Sequence, residues 1–332
     1  MIWRCPHCRG TLGARADAAV ECASCGTVYP AVAGIPDLRI DASSWIDCDE
    51  DREQARHIAE ELADLDLTEV VRHVFRAVRN LKGEKAEYRT RRVLEEPHRL
   101  RREITGWLDA ATCEGPFLDL GCGPGTLLAA AAADGRVGIG LDVSMVWLVV
   151  AKRLIEAFGG TPILAAGFAE SLPLADGAVS GVVSLDVIEH VGDQAAYLRE
   201  LDRVTAVGGA LALATPNRFS LAPEPHVRVW GVGWLPRRWQ QPYAERRSGM
   251  SYAYTRLLST WEMRRLVARN THFDIELLIP FIPDEEIAGA SAARATLART
   301  YNALVRHALA RRSALAVGAF YRVVGRKRAR HA

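Results

Sequence analysis

From residue 117 to residue 279 the chain alternates between short apolar runs and longer segments in which apolar residues recur every three or four positions. The apolar runs, which predict strands, are residues 117–120, 137–141, 163–166, 178–185, 210–214 and 273–279. The longer segments, which predict helices, are residues 126–133, 144–158, 194–204 and 260–270. Strands that alternate with helices form a mostly parallel sheet covered on both faces, so the pattern predicts an α/β fold.

The pattern differs on both sides of this region. The first forty residues are short strands and turns that hold four of the seven cysteines, and the next seventy are dense in charge, with apolar positions at helical spacing. We therefore divide the chain into a cysteine module (1–40), a helical connector or cap (41–110), an α/β domain (111–282) with an insertion at 216–255, and a C-terminal helical segment (283–332).

Two points within this division concern element boundaries. In the connector, Pro97 predicts a break or a new helix start, because proline disrupts the helix before it. In the C-terminal segment, residues 316–324 fit either a closing strand or a helix end, and residues 326–330 predict a solvated basic tail.

The composition is that of a globular protein: 332 residues, 49% hydrophobic and 25% charged, with a net charge of +2. So small a net charge gives no global field for nucleic-acid binding. No run approaches the roughly 18 apolar residues of a membrane span, and the N-terminus lacks a signal-peptide pattern. We therefore expect no transmembrane segment and a cytoplasmic location, with cysteines reduced or metal-bound.

Two Cys-x-x-Cys turns, Cys5 to Cys8 and Cys22 to Cys25, lie thirteen residues apart. Four thiolates from two turns suit tetrahedral zinc, and Gly26 after the second pair suits a left-handed turn. A segment of forty residues has little core of its own. Zinc binding would therefore supply most of the folding free energy of this segment, about 10 kcal/mol. The alternative, a redox-active pair, needs only one such turn.

The same segment resembles a known family in three motifs, CPHCRGTL, ECASCGTVYP and AGIPDLR. They are similar to the short zinc-ribbon proteins that partner RNA and protein methyltransferases. The resemblance covers residues 1–40. It implies a structural zinc ion on Cys5, Cys8, Cys22 and Cys25, and a ribbon that stabilises or activates a methyltransferase without doing chemistry itself.

The first strand of the α/β pattern runs into a glycine-rich turn, FLDLGCGPG. Asp119 lies at the strand end, and Asp142 ends the next strand, where a carboxylate can accept both hydroxyls of a ribose. A dinucleotide site would require glycine at position 126, where this chain has Thr126. A nucleoside that carries an amino acid and a sulfonium fits better, since Asp119 can face a cation or an amine.

Together with later motifs, this turn resembles the class I S-adenosylmethionine methyltransferases, and most closely the quinone-biosynthesis branch. The motifs are FLDLGCGPG, GLDVS, AESLPLADGAVSGVVSLDVIEHV, GGALALATPN and the helix beginning at Thr260, and they cover about residues 95–280. The resemblance implies a Rossmann-like sheet of seven strands and S-adenosylmethionine as cofactor.

The resemblance also implies roles for individual residues. Asp119, Gly121, Cys122, Gly123 and Gly125 would line the methionine part, Asp142 would hold the ribose, and Val143, Ser144, Ala169 and Glu170 would surround the adenine. Leu185, Asp186 and His190 would close the site near the methyl group. The chain departs from the family at Phe168, where an acid usually bonds the adenine amino group, and at Val179-Ser180, where the family favours Phe-Asp. Phe168 can stack on the ring or simply pack.

Methyl transfer is an in-line displacement, so a general base is needed only for a protonated nucleophile. His190 and His226 are the candidates for that base. The alternative for His190 is that it orients the cofactor or packs the loop.

We expect the acceptor at Asn217 and Arg218, after the fifth strand, and at Trp230 and Trp234 in the insertion. The insertion predicts a substrate lid, a peripheral membrane contact or a structural cover. The expected reaction methylates oxygen or nitrogen of a small molecule such as a sugar, a lipid-linked glycan or a quinone precursor. The alternatives are an rRNA or tRNA base methyltransferase that binds RNA through its ribbon, and a scaffold that binds cofactor without turnover.

Overall fold

The architecture comes from a computed structural model that describes residues 2–15, 19–40, 46–111, 115–282, 287–289 and 291–329. The cysteine module contains five short strands: β1 (Leu12–Ala14), β2 (Val20–Cys22), β3 (Val28–Tyr29), β4 (Ala31–Val32) and β5 (Ile35–Pro36). The first three form an antiparallel sheet, and β4 pairs with β5.

The connector is helical, as the spacing of its apolar residues predicts. It consists of α1 (Cys48–Glu60), α2 (Leu67–His73) with a π-helical turn (Val74–Val78), and α3 (Glu84–Ala111). Asp47 caps α1, and Asp66 with Glu69 forms a capping box on α2, which satisfies the first backbone N–H groups of both helices. The prediction of a break or a new start at Pro97 is wrong, since α3 runs through this residue.

The α/β domain is built on one sheet of seven strands, as the resemblance implies. The strands are β6 (Phe117–Leu120), β7 (Gly138–Asp142), β8 (Leu164–Ala166), β9 (Val179–Leu185), β10 (Thr205–Pro216), β11 (Phe273–Leu278) and β12 (Phe320–Lys327). Their order across the sheet is β11-β12-β10-β9-β6-β7-β8, and β12 alone runs antiparallel to its neighbours.

The α/β domain has helices at the four predicted segments, the insertion adds a helix that the pattern did not predict, and others follow in the C-terminal segment. They are α4 (Thr126–Ala132), α5 (Met145–Ala157), α6 (Gln194–Val204), α7 (Arg237–Ser248), α8 (Thr260–Asn270), α9 (Ala292–Leu304) and α10 (Ala308–Val317). The described residues also contain 3-10 turns at Ile188–His190 and Val232–Trp234. Among the described residues, no helix combines the length and hydrophobicity that crossing a bilayer requires.

The C-terminal segment settles the choice that periodicity left open. Helix α10 ends at Val317, and β12 then enters the sheet between β10 and β11. The prediction of a solvated basic tail is therefore wrong for Arg326 and Lys327, which belong to β12. Arg326 donates to the Gly208 carbonyl, and the Lys327 ammonium donates to the Thr205 carbonyl. Arg330 lies outside the described residues.

The cysteine module packs directly on the α/β domain. Trp3, Leu12, Tyr29 and Leu38 are buried in the same apolar cluster as the strands β6, β7 and β9. One backbone bridge joins Trp3 to Leu174. A second joins Asp37 to Ala166 at the end of β8, where the Leu38 N–H donates to the Ala166 carbonyl. The cysteine module is therefore attached to the β8 edge of the sheet.

The position of the first strand determines where a ligand can bind. From β6 the chain adds β7 and β8 on one side of the sheet, and then crosses to place β9 and β10 on the other. A crevice opens where the strand order reverses in this way, beyond the carboxyl ends of the strands. The loops after β6, β7 and β9 therefore meet at one place.

Candidate functional site

The loops after β6, β7, β8 and β9 enclose a cavity of about 860 Å³ at that reversal. Its volume lies toward the upper end of the 300 to 1,000 Å³, roughly, that is typical of small-molecule sites. Ten of the residues predicted from the resemblance line it: Gly121, Asp142, Val143, Ser144, Phe168, Ala169, Glu170, Leu185, Asp186 and His190.

The glycines of the turn after β6 have different physical roles. Gly121, Gly123 and Gly125 all have left-handed backbones, with φ of +76°, +49° and +75°. A Cβ on Gly123 would meet nothing within 4 Å, so a ligand can reach the backbone there. A Cβ on Gly125 would lie 2.8 Å from the Cβ of Ala151, so this glycine lets α4 pack on α5. Gly125 was predicted to line the methionine part of a ligand, and the structure places it in a packing contact with α5 instead.

The Asp142 carboxylate is held in place at the end of β7. Its Oδ2 accepts the Gly123 N–H at 2.8 Å, and its Oδ1 accepts the Ser144 N–H at 2.8 Å. Burial raises the pKa of Asp142, and the two backbone donors act in the opposite direction. Both oxygens keep lone pairs for a ligand, so the group can accept a vicinal diol.

Asp119 lies behind the cavity wall instead of in it. The residue is buried near the end of β6, while the next two residues line the cavity. Burial and the charge of Asp142 raise the pKa of Asp119 to about 8. Of the other predicted residues, the Cys122 side chain packs in the core, Gly123 has open space beside its backbone, and Gly125 packs against α5.

The structure adds wall residues that sequence reasoning missed. Arg79 and Trp147 line the cavity, with the Arg79 guanidinium 5.5 Å from the Trp147 ring centroid, and the Phe75 ring packs on the same tryptophan at 5.3 Å. Residues 253–256 form the opposite wall. Arg79 is contributed by the connector, and no local sequence signal marks a residue that reaches the site from another element.

At the end of β9 the cavity wall is strongly polar. Asp186 adopts a left-handed backbone with φ of +56°, which is strained for a residue other than glycine. Glu189 is buried, and its Oε2 accepts the Thr215 hydroxyl at 3.0 Å. Burial raises the pKa of Glu189 to about 7, and the charge of Asp186 adds to this rise.

The two predicted candidate bases lie together beside this acid. The His190 and His226 rings are 4.7 Å apart, edge to face, although 35 residues of chain separate them. Burial lowers the pKa of His190. Burial acts in the same direction on His226, but the Glu224 carboxylate at its Nδ1 raises the pKa above the ordinary value. His226 does not itself line the cavity.

The predicted acceptor residues lie elsewhere. Asn217 is buried, and its Nδ2 donates to the Leu315 and Ala316 carbonyls at 3.1 Å, so it anchors α10. Arg218 pairs with Glu262 at 2.7 Å. Neither lines the cavity, because both side chains are held in contacts that stabilise the fold.

The insertion contributes its last residues to the site instead of its tryptophans. The indoles of Trp230 and Trp234 donate to the Leu221 and Ser220 carbonyls on the outer surface, and both rings are about half exposed. Ala253 and Tyr254 line the cavity. The insertion tryptophans therefore do not line the cavity, and both the lid and the membrane contact stay predictions.

The four predicted zinc ligands converge. The Sγ atoms of Cys5, Cys8, Cys22 and Cys25 all lie within 4.8 Å of one another. Backbone bonds from Arg9 to the Cys5 carbonyl and from Gly26 to the Cys22 carbonyl close the two turns. Gly26 is left-handed at φ of +70°, as predicted. Four thiols at this spacing could hold one tetrahedral metal ion.

A buried ionic network connects the cysteine module to the loop that follows β7. Arg39, whose side chain is 1% exposed, pairs with Asp37 at 2.6 Å and with Asp51 at 2.8 Å, and donates to the Val143 carbonyl. Asp51 in turn accepts the Ser144 hydroxyl and the Met145 N–H, at 2.9 and 2.7 Å. The start of α5, next to Asp142, is thus held by residues of the module and the connector.

Comparison with known proteins agrees with this geometry. Residues 118–213 match the methyltransferase domain family. This region of the chain is similar to that family. It contains the glycine turn, Asp142 and the 3-10 turn that carries His190.

Individual relatives cover the same part of the chain. A protein of Mycobacterium tuberculosis named as a probable S-adenosylmethionine-dependent methyltransferase is 36% identical over 32% of this chain and 37% of its own length. A ubiquinone biosynthesis O-methyltransferase of Cereibacter sphaeroides is 34% identical over 36% of this chain and 50% of its own. The chain therefore aligns with half or less of these relatives. A methyltransferase structure from Mesorhizobium loti, 20% identical, covers 67% of this chain and 96% of its own, with a TM-score of 0.45.

Proposed function

We propose that this protein is an S-adenosylmethionine-dependent methyltransferase. The observation that carries the proposal is the Asp142 carboxylate, fixed by two backbone N–H groups at the open glycine turn and facing a cavity of about 860 Å³. Asp142 would hold the ribose hydroxyls, and Phe168, Ala169 and Glu170 would flank the adenine. The relatives named as methyltransferases support the same activity.

S-adenosylmethionine supplies a methyl group on a positively charged sulfur. The residues of this chain would bind that cofactor, orient its methyl group toward the wall at the end of β9, and exclude water with residues 253–256. Alignment of this kind is the main source of rate in a displacement. The ionisable Asp119 behind the methionine end would add attraction for the cofactor's cationic groups.

For the acceptor we propose a small molecule methylated on oxygen or nitrogen. The cavity measures about 860 Å³, and residues 253–256 form part of its wall, which favours a compact acceptor over a folded RNA. The quinone-type O-methyltransferases among the relatives support this class. A sugar, a lipid-linked glycan and a quinone precursor all belong to it.

Transfer of a labelled methyl group into a fractionated cell extract tests the proposal. Lipid, RNA and small-molecule pools are counted separately, with the Asp142→Ala variant as the blank. We expect label in the small-molecule or lipid pool with the unsubstituted protein alone. Label confined to RNA would replace the acceptor class, and an absence of label from every pool would favour a scaffold that binds cofactor without turnover.

We further propose one structural zinc ion on Cys5, Cys8, Cys22 and Cys25. The support is the convergence of the four sulfur atoms. Zinc in such a site contributes directly to folding. In this chain it would stabilise the module that carries Asp37 and Arg39, and through them the start of α5.

A further inference from the structure

The connector supplies part of the cavity wall on the β8 side of Asp142. The strands run in the order β6-β7-β8, and α5 joins β7 to β8, so the start of α5 and the loop after β8 flank the part of the cavity beyond Asp142. Phe168 lines the cavity from the loop after β8, Trp147 from the first turn of α5, and Arg79 from the end of the π-helical turn. We call Arg79 and Trp147 the cation–indole pair.

Ring and backbone contacts hold the cation–indole pair in place. The Arg79 guanidinium lies 5.5 Å from the centroid of the Trp147 ring, and the Phe75 ring meets the same indole edge to face at 5.3 Å. The Arg79 N–H donates to the Val74 carbonyl at 2.9 Å, and the next residue, Asn80, has a left-handed backbone with φ of +50°. Turns of the π-helical type are frequent at functional sites. Here the turn brings Phe75 and Arg79 onto one tryptophan.

The Arg79 guanidinium is available to a ligand. The residue is exposed, and within the described residues no hydrogen bond or ion pair holds the guanidinium on the Trp147 ring. Its positive charge opposes the rise that burial causes in the pKa of Asp142, because the two groups lie near each other. A planar guanidinium carries five N–H donors and stacks on aromatic rings. It therefore suits the face and the ring nitrogens of a heteroaromatic base.

Within the described residues, the β8 side of the cavity offers no carboxylate for the amino group of an adenine. Four acids line the cavity: Asp142, Glu170, Asp186 and Glu189. Asp186 and Glu189 follow β9, on the other side of β6. The Glu170 Oε1 accepts the Gly192 N–H at 3.0 Å, which directs this carboxylate toward the loop after β9. Asp142 remains, and its place in the proposed function is on the ribose.

We propose that the cation–indole pair and Phe168 bind the purine base of the cofactor through its ring face and ring nitrogens, and that the amino group of the base adds little to affinity. This placement rests on the proposed function, in which Asp142 holds the ribose and the methionine end lies at β6. Stacking surfaces hold any purine, whereas a carboxylate would select for the amino group. The connector lies outside the region that matches the methyltransferase family, and it would determine how well altered bases are tolerated.

Calorimetric titration of two ligands into the full chain tests the recognition of the base. The ligands are S-adenosylhomocysteine and its 6-deamino analogue, in which hydrogen replaces the amino group of the purine. We expect the unsubstituted protein to bind both with affinities within about threefold of each other, and Phe168→Asp to favour the amino compound by about tenfold or more, because the new carboxylate accepts its hydrogen bond. A preference of about tenfold or more in the unsubstituted protein, or an unchanged ratio in Phe168→Asp, would overturn the proposal.

Arg79→Met tests the contribution of the connector. It should weaken binding of both ligands by about tenfold and leave their ratio unchanged, because both lose the same cation and stacking surface. The matched control is Arg76→Met, since Arg76 lies on the same turn but pairs with Glu87 at 2.8 Å outside the cavity. Its affinities and the unfolding temperatures of both variants should equal those of the unsubstituted protein. Equal affinities in Arg79→Met and Arg76→Met would overturn the role of Arg79.

Failure of the base recognition and failure of the proposed function give different results. A folded unsubstituted protein that binds neither ligand would contradict the proposed function. Binding of S-adenosylhomocysteine that is lost in Asp142→Ala but unaffected by Arg79→Met would leave the proposed function standing and overturn only the recognition of the base by the connector.

Discussion

Two aspartates at adjacent strand ends define the cofactor end of the cavity by different means. Asp142 is fixed by backbone donors and faces the cavity, whereas Asp119 lies behind the wall, where burial and Asp142 raise its pKa to about 8. A carboxyl group with this pKa is largely neutral at pH 6 and ionised at pH 9. The Asp119 carboxyl group can therefore lose its proton near neutral pH when a cationic ligand binds beside it.

The first prediction concerns the pH dependence of cofactor affinity. Below about pH 8, binding of cationic S-adenosylmethionine must release the Asp119 proton, so affinity should rise with pH from 6 to 8 by up to about tenfold per unit and then level off. Asp119→Asn should flatten this rise. Calorimetric titrations at several pH values measure it, and an equal slope in the variant would contradict the role of Asp119.

At the scale of elements, the start of α5 depends on parts of the chain distant in sequence. The Asp51 carboxylate of α1 accepts the first donors of α5, and Arg39 joins Asp51 to Asp37. The Arg39 side chain is only 1% exposed. Removing one partner of a buried ion pair leaves the other charge buried without compensation. This lowers the free energy of unfolding much more than the loss of a surface pair does.

The second prediction follows from this network. Arg39→Met should lower the free energy of unfolding by about 3 to 5 kcal/mol, because it removes the cation that pairs with Asp51 and leaves Asp37 with Arg52 as its remaining partner. The matched control, Arg56→Met, breaks the half-exposed pair with Glu53 and should cost less than about 1 kcal/mol. Urea denaturation compares the two, and equal losses would show that the network adds no stability.

Elements with strong local signals were predictable from the sequence. The boundaries of α6 and α8 follow from periodicity, and the Ser259–Glu262 capping box marks the start of α8. Helix α3 runs through Pro97 because packing on α4 compensates for the lost backbone bond, which no local rule anticipates. The prediction that the insertion tryptophans contact the acceptor failed for a related reason. The composition of a loop does not determine which of its side chains face a cavity.

The site was predictable where a residue follows a strand and unpredictable where it arrives from elsewhere. Asp142 and His190 lie at strand ends, so the parallel sheet determines their position. Arg79 and residues 253–256 reach the wall through tertiary packing. Asn217 follows β10 directly, yet its amide turns to the backbone of α10, because a buried amide must find partners.

At the scale of the whole molecule, the cysteine module and the α/β domain share one apolar core. Trp3, Tyr29 and Leu38 are buried with the strands of the sheet, and Arg39 follows directly after Leu38. Loss of order in the module would therefore expose part of the core and release the network at α5. The stability of the domain and the integrity of the zinc site should be coupled.

The third prediction tests that coupling. Cys22→Ser should remove the bound zinc, lower the unfolding temperature and weaken S-adenosylhomocysteine binding, because the module no longer supports Arg39. Cys48→Ser is the matched control, since Cys48 lies outside the group of four and should keep one zinc per chain. Metal analysis and thermal melts measure the effects. A zinc-free variant with unchanged melting and affinity would refute the coupling.

The most direct measurement for the whole account is calorimetric titration of S-adenosylhomocysteine into the unsubstituted protein and into Asp142→Ala. We predict binding of one molecule per chain to the former and no detectable binding to the latter, with thermal stability kept in both. Equal affinity in the two proteins would contradict the central claim that the Asp142 carboxylate holds the cofactor at the carboxyl ends of β6 and β7.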